Sequence, residues 1–384
     1  MEDLVSFGGS EMFRREYIFQ EISEQEKIAA LHRRLPGPKW PRAGGKMLIT
    51  GAGDSYCGAL FGHWLLQNRF QATCLPALEA SSAAQHFGPE DILVCISVSG
   101  YTSRVIEAAK RVLAVGAQVV AVTDNLQSPL AELTPVVWPI YASPPESLTH
   151  TSYQDEEAKQ YVGYHHDVAQ TKTFWAVLLT LIRAAQVKVD WQLLLTTTRQ
   201  LLGAPFYEPL MATGSFWAQS GQTFFLGSGW AKIAARFAAY KMYEFNRLAH
   251  FTDIEEYCHT RYFITRTGDT IVFLITDRDA AARAVEIVPL LQEFFAARII
   301  WLQPEFLGQA SLPHDCRASP QVITLPAAGQ PVLQFLNLIL AMEWITYCIG
   351  RVGAPDINTF HAGYDTERLV AGTLRTIRRS ALRL

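Results

Sequence analysis

Two groups of residues in this chain have types and spacings suited to chemistry. The first is Ser97, Val98, Ser99, Gly100 and Thr102, within the stretch PEDILVCISVSGYT. An apolar run from Asp91 to Cys95, suited to a buried strand, ends abruptly in these hydroxyls, directly before the amphipathic segment Ser103–Val115. The unpaired N–H groups of a first helical turn, the helix dipole and the hydroxyl donors then converge, and an anion is their natural guest. The same loop reads equally well as an ordinary Ser/Thr cap on an α/β helix. The second group lies in KMYEFNRLAHFTDIEEYCHTRYF. Lys241 and Glu244 are three apart and share a helix face, and Glu256 and His259 bear the same relation if that turn is helical. A carboxylate and an imidazole beside a bound sugar could divide an isomerisation, with Glu moving a proton between adjacent carbons and His opening the ring. Taken singly, Glu244 also reads as a solvated partner of Lys241, and His259 as a polar core residue. His165, His166 and His250 have no carboxylate or Cys spacing that implies a metal.

These residues need a frame to hold them, and the chain supplies a repeating one. A helix around Phe13–Leu31 and the loop PGPKWPRAGGK come first. Met47–Thr50 is then a strand entering GAGDSYCGALFGHWLLQ, a glycine turn and a helix with Leu60, Trp64 and Leu65 on one face. Strands at Ala72–Leu75, Ile92–Ile96 and Ala117–Thr123 alternate with helices starting at Glu79–His86 and spanning Ser103–Val115. Glu146–His166 is polar and reads as a loop over the site. A long helix over Asp167–Gln186 leads to a helical linker near Trp191–Leu202. The pattern then restarts, with strands at Thr223–Leu226, Thr270–Ile275 and Arg298–Leu302, helices at Ala231–Asn246 and Ala280–Phe295, and an apolar helix Val332–Ile349. Such alternation predicts an α/β fold whose parallel sheets bind ligands at the carboxyl ends of their strands. The expected division is 1–45 for the N-terminal helix and loop, 46–200 and 201–350 for two αβ units, and 351–384 for a tail. The turns GAGDSY and GSGWAK both lack the third glycine of GxGxxG, which ranks nicotinamide chemistry well below sugar-phosphate binding.

At 384 residues, 49% hydrophobic and 18% charged, the composition is globular and exceeds one core. A net charge of −3 with scattered Lys and Arg offers neither a nucleic-acid face nor a polybasic membrane anchor. The six cysteines, Cys57, Cys74, Cys95, Cys258, Cys316 and Cys348, have no CxxC spacing and imply reduced thiols without a zinc site. Neither a leader pattern nor an apolar run of membrane-spanning length is read, so a cytoplasmic protein is expected.

Several stretches together resemble the sugar isomerase (SIS) family, particularly the tandem-SIS isomerase half of glucosamine-fructose-6-phosphate aminotransferase and its stand-alone relatives. EISEQ at 21–25 is similar to the opening helix of the family, and GAGDSY at 51–56 stands at its Gly-Thr-Ser-Tyr turn. SVSGYT at 97–102 resembles its SxSGxT phosphate loop, and VAQTKTF at 168–174 its VASTKAF segment; KMYE at 241–244 and EEYCH at 255–259 match its KxxE and ExxH pair. The resemblance implies two tandem SIS domains, each a parallel sheet flanked by helices in a flavodoxin-like αβα sandwich. It implies that Ser55, Ser97, Ser99 and Thr102 hold a phosphate, with Gly53 and Val98 contributing backbone, and that Val168 and Gln170 line the sugar. Glu244 would shuttle the proton between C1 and C2 with Lys241 as its neighbour. His259 would open the ring across a homodimer interface.

The implied activity is aldose–ketose isomerisation of a hexose or amino-hexose 6-phosphate, with no cofactor or metal and a small-molecule ligand rather than nucleic acid or membrane. The alternatives are an amino-sugar phosphate deaminase or deglycase, and a sensor that binds without turnover. The chain departs from the aminotransferase at several points. It begins Met-Glu-Asp, which leaves no room for a glutaminase domain, so no glutaminase activity is expected. Val98, Tyr101 and Gln170 replace Gln, Glu and Ser, and the tail YDTERLVAGTLRT puts Ala371 at the place of the Schiff-base lysine, with His361 and Arg368 nearby. The loop recognises tetrahedral oxygens, so a sulfonate would satisfy it as well as a phosphate.

Overall fold

Strands covered by helices on both faces read as unbroken apolar runs, and ILVCI at Ile92–Ile96 is buried at every position. In the computed structural model, which describes residues 17–41, 44–68, 70–142, 169–308, 319–352 and 376–377, such runs build two parallel sheets. The chain opens with α1 (Tyr17–Ser23) and α2 (Gln25–Arg34). The first sheet follows in β1 (Met47–Gly51), α3 (Asp54–Leu66), β2 (Ala72–Pro76), α4 (Ala77–Ala83), β3 (Ile92–Ile96), α5 (Ser103–Ala114), β4 (Gln118–Thr123), α6 (Pro129–Glu132) and β5 (Val137–Pro139). Among the described residues, α7 (Lys172–Ala184), α8 (Trp191–Leu202) and α9 (Ala204–Trp217) connect the sheets. The second sheet comprises β6 (Thr223–Gly227), α10 (Ala231–Glu244), β7 (Ala249–Thr252), α11 (Ile254–His259), β8 (Thr270–Leu274), α12 (Arg278–Phe295), β9 (Arg298–Pro304) and β10 (Gln321–Leu325), and α13 (Pro331–Gly350) closes it.

The sheet orders are β2-β1-β3-β4-β5 and β10-β9-β8-β6-β7. Read from its other edge, the second repeats the order of the first, which is the flavodoxin-like arrangement with its switch point between the first and third strands. One apolar core runs between the sheets through α3, α7, α10 and α13, joining Ile49 and Val94 of the first to Phe225 and Val272 of the second. Phe174 of α7 stacks on Phe237 of α10 at 4.3 Å, and Phe61 of α3 on Phe335 of α13 at 4.6 Å.

Several expectations are corrected. The single N-terminal helix is two helices parted at Glu24. The deepest face of α3 is Cys57, Gly58, Phe61 and Gly62, while Leu60, Trp64 and Leu65 are only partly buried. Glycine makes that face: a Cβ on Gly58 would lie 2.9 Å from Val177 of α7, so the helices approach too closely for a larger residue. α13 does reach membrane-spanning length, with 20 residues and mean hydropathy 1.6, but 94% of its apolar window is buried inside the fold. It is a core helix, apolar on all sides because protein surrounds it. The polar stretch Glu146–His166 lies outside the described residues.

Candidate active site

β1 and β3 are neighbours whose following helices leave on opposite sides, so the turns after them meet at the switch point of the first sheet. After β1, Gly53 adopts φ +57° and starts α3, which no side chain caps; Ser55 sits in its first turn. After β3, Ser97 N–H extends the ladder to Val122 O at 3.0 Å, and Gly100 turns the chain with φ +70°. A Cβ on Gly100 would meet Ser128 Oγ at 2.0 Å, so only glycine allows this approach. The hydroxyls of Ser97 and Thr102 bond one another at 3.0 Å, and Ser99 Oγ accepts from Tyr101 N–H at 3.2 Å. The Val98 carbonyl is held by Thr123 Oγ1 at 3.0 Å and by Asp124 N–H at 3.0 Å. Thr102 flanks α5 without a side-chain cap, so the positive end of the helix dipole lies beside these hydroxyls. Gly53, Ser55, Ser97, Val98, Ser99 and Thr102 thus come to one edge of the first sheet. Asp124 at the end of β4 accepts from Ala142 N–H at 3.1 Å, and burial pushes its carboxyl up to about 6.

The second half contributes through α10. Its Lys241 is 1% exposed, and its ammonium has three oxygen partners: Asp54 Oδ2 of α3 at 2.6 Å, Glu244 Oε2 at 2.8 Å and the Gln170 carbonyl at 2.9 Å. Burial works against the ammonium, but the Asp54 and Glu244 carboxylates outweigh it and raise its pKa above the usual lysine value. All three of its donors are taken, which makes it a strut between the halves. Glu244 ends α10 with its side chain 29% exposed. Burial pushes its carboxyl up to about 7; Lys241 opposes this and Asp54 adds to it. That value suits a base working near neutrality.

The start of α7 completes the centre from a distance in sequence. Glu21 of α1 accepts from the backbone N–H groups of Thr171 at 3.1 Å and Lys172 at 3.0 Å, and Lys172 Nζ pairs with Glu24 at 2.6 Å. This holds Gln170 with its carbonyl, rather than its side chain, on Lys241. His259 stands apart. Its side chain is 69% exposed and bonds Glu255 at 3.0 Å rather than Glu256, while Arg283 holds Glu255 at 2.7 Å. Val168, His361, Arg368 and Ala371 lie outside the described residues.

Asp54, Glu21 and Asp124 were not singled out from the sequence. Asp54 had a signal, an acidic residue opening the helix directly after the glycine turn. Its Oδ1 is buried without a hydrogen-bond partner among the described residues.

Residues 42–153 match the family model of the SIS domain. An uncharacterized protein of Aeropyrum pernix is 31% identical over 131 residues, which are 34% of this chain and 58% of that protein, so the match spans little more than half of that relative. Among solved structures, the C-terminal domain of glucosamine-fructose-6-phosphate aminotransferase from Francisella tularensis superposes with a TM-score of 0.67 at 15% identity, covering 88% of this chain and 96% of its own. Tagatose-6-phosphate ketose/aldose isomerase from Escherichia coli gives 0.68 at 14% identity, covering 92% and 96%. Glucosamine-6-phosphate deaminase from Thermotoga maritima gives 0.61 at 12% identity, covering 90% and 97%. The chain shares the αβα fold of these phosphosugar proteins nearly end to end, and the stretch that carries the Ser55 turn and the Ser97–Thr102 loop is the stretch that matches the SIS domain.

Proposed function

We propose that the chain is an isomerase of a hexose or amino-hexose 6-phosphate, built of two tandem SIS units over 46–200 and 201–350. The observation that carries this reading is the Lys241 strut, which sets Glu244 beside the turn Gly53–Ser55 through Asp54. The phosphate is held by the hydroxyls of Ser55, Ser97, Ser99 and Thr102 at the positive dipole ends of α3 and α5. The sugar then extends toward α10, past Gln170 and Val168. In its open-chain form, the Glu244 carboxylate takes the proton from one of C1 and C2 as the enediol forms. It returns that proton to the other carbon, while the hydroxyl proton moves between the two oxygens. Lys241 fixes the carboxylate without reaching the sugar. His259 opens the ring in the site of a second copy, which makes the working form a homodimer.

The test is solvent exchange in heavy water with fructose 6-phosphate, glucosamine 6-phosphate and related sugars. Deuterium is expected at C1 or C2, at a rate that rises with pH through about 7 as Glu244 ionises. Glu244→Gln should abolish the exchange. Ammonia release from glucosamine 6-phosphate would transfer the reading to a deaminase. Tight binding with no exchange in any sugar would leave a sensor and end the isomerase proposal.

A further inference from the structure

Glu343 lies within α13, 1% exposed, in the interior of the molecule. Gln25 of α2 is 0% exposed and donates through Nε2 to Glu343 Oε2. One oxygen of each side chain is then left over. Gln25 Oε1 and Glu343 Oε1 are both buried and without a hydrogen-bond partner among the described residues. An ionised carboxylate only accepts, so it would leave both oxygens unsatisfied in the interior. A carboxylic acid protonated on Oε1 donates to Gln25 Oε1 and closes a ring of two hydrogen bonds, which satisfies both.

The charged groups around the pair favour the neutral acid. Burial is the largest influence and raises the Glu343 carboxyl well above the usual range; Lys241 of α10 opposes this, while Glu21 of α1 and Asp54 of α3 add to it. Lys241 cannot pair with Glu343 in compensation, because its donors are taken by Asp54, Glu244 and the Gln170 carbonyl.

We propose that Glu343 is kept as a neutral carboxylic acid joined to Gln25 by two hydrogen bonds, and that this pair positions the Lys241–Glu244 centre. The path is physical. The pair anchors α2 to α13, and the residues just before Gln25 hold the start of α7 through Glu21 and Glu24. The start of α7 in turn presents the Gln170 carbonyl to Lys241. A neutral Glu343 also leaves the lysine charge to Asp54 and Glu244. The positioning role rests on the reading of Glu244 as the base; the protonated pair does not.

The experiment compares the full chain with Glu343→Gln, Glu343→Leu and Gln25→Leu. Infrared spectra are taken in alkaline buffer, where Asp124 (about 6) and Glu244 (about 7) are ionised. The wild type should retain a neutral-acid carbonyl band that Glu343→Gln lacks. A glutamine at 343 reproduces both hydrogen bonds and cannot ionise. The folded acid resists an ionisation that the unfolded chain undergoes near pH ~4.3. Wild-type stability therefore falls as pH rises from there toward the folded value, and Glu343→Gln should gain about 5 °C or more in Tm over the wild type in alkaline buffer, with the gain vanishing in acid. Its exchange pH profile should match the wild type, whereas both leucine variants should lower Tm and displace the pH midpoint of exchange. Absence of the band in the wild type, or a Glu343→Gln protein less stable than wild type at every pH, overturns the pair. Loss of exchange in a folded Glu343→Gln overturns the positioning role. Should the wild type exchange no sugar, the functional reading fails while the band and the Tm series still decide on the pair.

Discussion

After β3 the chain runs Ser97-Val98-Ser99-Gly100-Tyr101-Thr102 into α5, and after β8, at the corresponding place in the other sheet, it runs Ile275-Thr276-Asp277 into α12. Thr102 leaves α5 uncapped, whereas the Asp277 carboxylate accepts from Ala280 N–H at 2.8 Å and occupies the N-terminus of α12. The glycine turns differ in the residues that follow them. Gly53 and Gly229 share a left-handed φ, +57° and +56°, but Asp54-Ser55 follows the first and Trp230-Ala231 the second. The same fold unit therefore carries two different helix starts. An uncapped helix start ringed by hydroxyls attracts an anion, while a start already holding a carboxylate repels one and simply stabilises its helix. The second unit serves the site from its opposite edge instead, through Lys241 and Glu244 at the end of α10.

The comparison can be broken or sharpened by substitution. The largest effect should come from Lys241→Met, which removes the strut between the halves and leaves the Asp54 and Glu244 carboxylates without their cation. Chemical denaturation should show a loss of about 3–5 kcal/mol. Next is Thr102→Asp, which gives the first unit the capping chemistry of the second. Helix stability is kept, but calorimetry should find hexose-phosphate binding weakened roughly 100-fold, by about 2.8 kcal/mol. Ser97→Ala removes one hydroxyl from the crevice and should weaken the same ligand roughly fivefold, about 1 kcal/mol. The smallest change is Asp277→Ser. One cap replaces another there, so melting should reveal a shift of only a few tenths of a kcal/mol and titration no new anion site, because the new hydroxyl takes the carboxylate's place on the first turn of α12.

Much of the frame was legible in the residues. The apolar runs at Met47–Thr50 and Ile92–Ile96 and the periodic segment Trp191–Leu202 sit where their patterns place them, since short buried strands and amphipathic helices carry their environment in local sequence. The edge strands β5, β7 and β10 were missed because they are short and only partly buried, so none reads as an unbroken apolar run. The buried face of α3 was missed because glycines make it. In the candidate site, Lys241 and Glu244 are neighbours within one helix and could be paired by spacing. Asp54 and Glu21 could not, because their partners Lys241, Thr171 and Lys172 are reached only through the packing of helices distant in sequence. Glu256 and His259 do lie on one turn of α11, as their spacing implies, but the imidazole bonds Glu255, a full helical turn away and within its reach.

The central claim is that a single crevice takes its anion site from the first unit and its proton-moving carboxylate from the second. A crystal soaked with a hexose 6-phosphate tests it most directly. The phosphate should lie among Ser55, Ser97, Ser99 and Thr102 with C1 and C2 turned toward Glu244. A ligand bound elsewhere, or sugar carbons out of reach of Glu244 in every subunit pairing, contradicts the account.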